Sequence, residues 1–264
     1  MLMLKIFIAA IIVIGLAEIA ERSSSKVAGL LAGLPIGSAL VLFFYALDFG
    51  PNFVEQVTPY NLLGLSASLS FVTFYYLGSK ISQKYSIIFG VTFGLLAYTI
   101  FAYLLSLLTV SNSLIPSIIL IVIIVITHHY FKNIPEVESS KKSKLDFQEM
   151  IIRGIVATFF VLLASYSPRF FSDNIAGILS SFPSSLLPLL LIIHISQGRE
   201  LVHSVIKYLP LGYIGVMIYS IVVGIMYTTF GIYLGTVVAL SISTSYLILL
   251  LVISSYKNKE LNSL

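Results

Sequence analysis

The chain has 264 residues, 58% of them hydrophobic and 10% charged, with a net charge of +4, a mean hydropathy of +1.02 and no cysteine or tryptophan. A soluble domain carries about 25% charged residues, so the composition describes an integral membrane protein with no room for a separate soluble domain. The missing cysteines exclude disulfides, thiolate metal sites and thiol nucleophiles. Any interfacial aromatic belt must then come from the 16 tyrosines.

Apolar stretches of about 20 residues, the length a 30 Å hydrocarbon core demands, occur nine times in chain order. They lie near 3–20, 27–48, 60–79, 86–109, 113–131, 150–167, 175–197, 208–228 and 230–254. The first run lacks a good cleavage site at "IAERSSSK" and reads as a retained helix rather than a signal peptide. The eighth and ninth run together around Tyr227–Thr229, and the one substantial polar segment is "NIPEVESSKKSKLDFQEM", residues 133–150. Of the fifteen basic residues, all but Lys5 and Arg169 fall on one side of this alternation. The positive-inside rule then puts the N-terminus outside and the C-terminus in the cytoplasm. The basic balance is therefore a topology signal, and nucleic-acid binding has no other support.

The second span carries Gly33-Leu34-Pro35-Ile36-Gly37-Ser38 at its centre. A proline there removes a helical hydrogen bond and clashes with the preceding turn, costing roughly 3 kcal/mol. Shifting the sequence by 148 positions lays this segment on residues 175–192 of the seventh span. Ala28-Gly29 then meets Ala176-Gly177, Pro35 meets Pro183, Gly50 meets Gly198, and Tyr60, Gly64, Tyr85 and Tyr98 meet Tyr208, Gly212, Tyr233 and Tyr246. The register holds without a gap and implies an internal duplication. Four spans repeat and the fifth separates the copies, so equivalent helices cross in opposite directions, the inverted-repeat plan of many secondary transporters. The expected fold is an all-α polytopic membrane protein of two inverted four-helix repeats, residues 1–109 and 149–257. A linking span and loop fill 110–148, and a tail 258–264.

Each proline lies about eight residues, roughly 12 Å, into its span. It suits the start of a new half-helix, with the amides of Ile36, Gly37 and Ser38, and of Ser184 and Ser185, left pointing back unpaired. Broken backbone is tolerated in a membrane only where protein or a water-filled cavity covers it. Two helix N-termini, each carrying about half a positive charge, would meet at mid-membrane beside serine hydroxyls. The expected substrate site is therefore Gly33, Pro35, Gly37, Ser38, Ser181, Pro183, Ser184 and Ser185, suited to a small polar or anionic solute. Packing by small residues is the alternative reading of both segments.

The second copy, "IAGILSSFPSSLLPLLLIIHISQG", resembles the signature stretch of GlpM-type inner-membrane proteins, and "AGLLAGLPIGSALVLFF" is similar to the AGLP-x-x-S stretch of uncharacterised two-repeat prokaryotic membrane proteins. The resemblance covers the second and seventh spans and implies a prokaryotic plasma membrane and a fused pair of units that otherwise pair as subunits. It implies no activity. His194 falls on that family's histidine, whereas the first copy has Ala46 there.

Other polar residues are secondary candidates for gating or coupling: Glu18, Lys5, Arg153 and His194. Lys5 and Arg153 are equivalent under the shift and could draw anions to opposite mouths, although snorkelling explains them too. His128-His129 lacks acidic or thiol companions at ligand spacing, so no metal and no cofactor is expected. Paired carboxylates and nucleophile dyads are absent, which argues against an enzyme, and no phosphate-cradling glycine loop supports ATP-driven transport. The function expected is a secondary transporter or facilitator in contact with lipid and solute, with a channel or a non-catalytic envelope assembly protein as alternatives. A homodimer stays open.

Overall fold

The computed structural model describes residues 34–137 and 147–262, together with Phe7, Ile11 and Leu30. Side chains within 147–153 and beyond 253 are outside that description. Lys5, Glu18 and Gly33, and the first predicted span apart from Phe7 and Ile11, lie outside the described residues, as does the side chain of Arg153. Everything regular among the described residues is helical. We number the helices α1 (Ile36–Phe49), α2 (Pro51–Ile81), α3 (Ser86–Ser106), α4 (Leu114–Phe131), α5 (Phe147–Tyr166), α6 (Asp173–Leu179), α7 (Leu186–Gln197), α8 (Arg199–Phe230) and α9 (Ile232–Asn262). Five of them, α2, α3, α4, α8 and α9, are long and apolar enough to cross a membrane. They fall on the third, fourth, fifth, eighth and ninth predicted stretches.

Two helices start earlier than hydropathy alone suggests. Residues 49–59 read as an outer loop, yet α2 begins at Pro51, directly after Gly50 at φ +91°. Proline fits a first helical position because its missing N–H would have no partner there, and glycine supplies the left-handed turn. The polar appearance of this stretch comes from one face: Glu55 and Gln56 are exposed, while Val54, Val57 and Thr58 are buried. In the same way α8 begins at Arg199 after Gly198 at φ +89°, so Lys207 lies inside a helix rather than in a loop. The boundary between the last two stretches falls at Gly231, φ +79°, a few residues beyond Tyr227. The seventh stretch is carried by two helices, α6 and α7, joined by residues 180–185.

The hub is α2. At 31 residues it is about 46 Å long, and 78% of its apolar window is buried inside the protein, against 17% for α9. Its closest partner is α3, whose Gly90-x-x-x-Gly94 pair faces it. A Cβ on Gly94 would stand 2.8 Å from the Phe71 ring and one on Gly90 3.3 Å from the Tyr75 carbonyl. Such small-residue stripes let membrane helices approach closely where no hydrophobic effect drives them together. Opposite that stripe, Ile88, Leu96 and Ile100 are exposed, as a lipid-facing side requires. Across the hub, α6 seats Gly177 against Tyr60 and Val57, and α2 seats Gly64 against Ile178 and Ser181. The chain is a helical membrane protein built around one buried helix.

Candidate functional site

The two proline segments meet. A Cβ added to Gly37 would lie 2.6 Å from Ser184 Oγ and 3.4 Å from Ser185 Oγ, so this glycine admits the opposite segment. Beside the contact is a cavity of about 30 Å³, room for about two waters. Its wall contains five pairs of residues, each pair 148 positions apart: Leu34 and Phe182, Pro35 and Pro183, Gly37 and Ser185, Ser38 and Leu186, Leu65 and Tyr213. Ser181 and Val216 complete it. None of these side chains is charged, so a solute here would be held by hydroxyls and backbone dipoles.

The backbone at the two prolines follows one pattern. The Ile36 N–H donates to the Leu34 carbonyl at 2.7 Å, and the Ser184 N–H donates to the Phe182 carbonyl at 2.6 Å. Each bond spans the proline as a γ-turn does. The proline carbonyls then accept the first helical bonds, from the Ala39 and Leu187 amides. Two of the five amides expected to be unpaired, Ile36 and Ser184, are therefore satisfied, because the turn folds each onto the carbonyl before the proline. The amides of Ser38 and Ser185 have no partner among the described residues. The helices also start later than a proline-first reading implies: α1 at Ile36, just after Pro35, and α7 at Leu186, with Ser185 as its N-cap.

Of the sequence-predicted site residues, Pro35, Gly37, Ser38, Ser181, Pro183 and Ser185 line the cavity. Ser184 packs on Gly37 instead, 2% exposed, its hydroxyl without a partner among the described residues. Nothing is described for Gly33, Glu18 and Lys5, nor for the Arg153 side chain. His194 stands away from the cavity near the far end of α7, hydrogen-bonded to Tyr75 and Ser86.

Four participants were missed in the sequence. Leu65 and Tyr213 correspond under the 148-residue shift, but a leucine and a tyrosine are not an identity and drew no attention. Asn61 is fully buried in α2, its Nδ2 donating to Ser180 Oγ at 2.6 Å while Oδ1 has no partner among the described residues. It was legible as the one amide side chain in the stretch 60–79, and polar groups inside membranes mark function by default. Ser68 ties the same face of α2 to the break by donating to the Ser181 carbonyl.

The ends of the protein differ in charge. At one end Arg169 reaches Asp48 at 3.7 Å and Gln56 reaches Asp173 at 3.1 Å. Tyr45 Oη there lies within hydrogen-bond distance of Ser167 Oγ and the Ala164 and Ala176 carbonyls. The opposite end gathers Lys80, His203, Arg199, Glu200 and Lys207, the last paired with Glu136 at 3.0 Å. Among the described residues no cluster of three or more potential metal ligands occurs.

No family model matches this chain, and no curated protein or solved structure matches it. Fold and site define its class as a helical membrane protein with an uncharged cavity between two proline-interrupted segments.

Proposed function

We propose that the protein is a secondary transporter or facilitator of a small polar or anionic solute, with its site in the cavity between Pro35 and Pro183. The carrying observation is the paired wall: ten of its twelve residues fall into pairs 148 positions apart. A cavity on a pseudo-two-fold axis is where inverted-repeat transporters hold substrate, with one repeat rocking against the other. The succession α1–α2–α3 and α7–α8–α9, with Gly50 and Gly198 in near-identical left-handed turns, supports the same duplication. On this reading the nine stretches span the membrane. The Lys- and Arg-rich end faces the cytoplasm, and the resemblance to GlpM-type proteins reflects one repeat unit in a prokaryotic plasma membrane.

The chemistry of the wall limits the cargo. A bare anion in an uncharged apolar surround pays a large desolvation cost, relieved here by the Ser38 and Ser185 amides, without a partner among the described residues, at two helix starts and by the hydroxyls of Ser38, Ser181 and Ser185. The cavity as it stands admits about two waters, so a solute enters only when α1 and α7 separate, and alternating access requires that motion. Liposomes containing the protein should take up at least one of glycerol, phosphate and sulfate faster than empty liposomes. Ser185→Phe, which fills the cavity, should abolish that gain. Equal uptake by empty and protein-bearing liposomes across all three solutes would contradict the proposal and favour an envelope assembly role.

A further inference from the structure

His194 is engaged in a way that solute binding does not require. It sits in the last turn of α7, 5% exposed, nine residues or about 13 Å along the helix from Ser185. Nδ1 lies 2.8 Å from Tyr75 Oη on α2, and Nε2 lies 2.9 Å from Ser86 Oγ, the first residue of α3. Both partners are hydroxyls, which donate or accept as needed. Neutral imidazole fills the cage with one N–H and one lone pair. Imidazolium fills it with two N–H groups while both hydroxyls turn to accept. The partners thus serve either charge state once the donating hydroxyl has turned its O–H away from the ring, whereas a carboxylate or an ammonium in either place would favour one.

The charged neighbours carry a positive excess, with Glu200 the one carboxylate named among them. From α2 the titratable neighbours are Tyr75 itself and Lys80, and from α8 they are Arg199, Glu200 and His203. Arg199 and Glu200 pair with each other at 3.2 Å, so their fields oppose each other at the ring, with that of Arg199 the larger. Ser79 engages His203 at 2.7 Å. From α3 the contact is Ser86, with Lys84 and Tyr85 just before it. The carbonyls closing α7 favour a cation at its C-terminus.

We propose that His194 is a proton-binding site and that the coupling ion of the transport cycle is H⁺; this rests on the transport reading above. The proton, supplied by water, adds to whichever ring nitrogen carries the lone pair, and no other bond is made. Both ring contacts then become charge-assisted, which shortens and strengthens them, and the C-terminal end of α7 is clamped to α2 and α3. The N-terminal end of α7 forms the cavity wall at Ser185 and Leu186. Clamping one end of this short rod restrains the wall at the other, and deprotonation frees it to move.

The test uses a single cysteine at Ser185 in the otherwise cysteine-free chain, labelled with a membrane-impermeant maleimide across about pH 5 to 8, where an imidazole titrates. The same cysteine is labelled in a His194→Gln background, which keeps one donor and one acceptor but takes no proton. The ratio of the two rates cancels the pH dependence of the thiolate itself. The expected result is a ratio that falls by about tenfold from the alkaline to the acid end. The ¹⁵N shifts of the His194 imidazole in unmutated protein should report protonation at the same midpoint. A labelled cysteine with a pH-independent ratio, or a ring that stays neutral throughout, overturns the proton site while the transport reading stands. A cysteine inert at every pH in both backgrounds overturns the transport reading, and the proton site falls with it.

Discussion

Glycines 37, 64 and 177 show, at the level of single atoms, how closely the segments around the site approach. The Cβ of an alanine at Gly64 would stand 2.4 Å from the Ile178 carbonyl, which is backbone and cannot swing away. Overpacking of this kind costs about 1–3 kcal/mol, so Gly64→Ala should lower the melting temperature in detergent by several degrees. Gly90→Ala, whose closest contact would be 3.3 Å, serves as the mild comparison. Equal melting points for the two variants would show that α6 does not pack against α2 as described. At this scale the sequence was informative where residue type itself is unusual. Proline, glycine and serine in the middle of apolar stretches pointed to both segments, and six of the eight nominated residues line the cavity. Leu65 and Tyr213 were invisible because nothing in an apolar side chain's identity says which face of a helix it occupies. That depends on how α2 and α8 are rotated against the breaks.

For whole elements, boundaries were the weak point. Hydropathy locates the apolar middle of a helix and not its amphipathic ends, so the first turns of α2 and α8 looked like loops. The signals that fix them are local and stereochemical: Gly50 and Gly198 in left-handed turns, with Pro51 at the first position of α2. The proline segments act at this scale too. Replacing both prolines, Pro35→Ala with Pro183→Ala, returns an amide donor to each segment and removes each ring's clash with the preceding turn. The helices should then grow through the breaks, and labelling of a cysteine at Ser38 should drop by about tenfold or more. Thermal stability should stay the same or rise, since healing a helix relieves unpaired groups. A double variant that labels like its parent would mean that the prolines do not keep the cavity open.

At the scale of the whole molecule the described residues are sorted by charge. Arg169, Asp48 and Asp173 gather at one end, and Lys80, Arg199 and Lys207 at the other, the separation that counting basic residues along the chain predicts. The proposed orientation, with the Lys- and Arg-rich end in the cytoplasm, rests on the positive-inside rule. A cysteine at Asn112, in the exposed turn between α3 and α4, should label from outside intact cells. One at Ser139, in the polar linker, should label only after the membrane is opened. The reverse pattern would invert the molecule without disturbing its packing.

The central claim is that Pro35 and Pro183 enclose a wet site reachable, in turn, from both sides of the membrane. Single cysteines at Ser38 and Ser185 test it directly, each labelled by an impermeant thiol reagent applied to right-side-out and then to inside-out vesicles. Both positions should label from both sides, because the cavity opens alternately. Labelling from one side only, at either position, would describe a vestibule. No labelling from either side, under conditions that label Ser139→Cys, would contradict the account and leave the prolines a packing role.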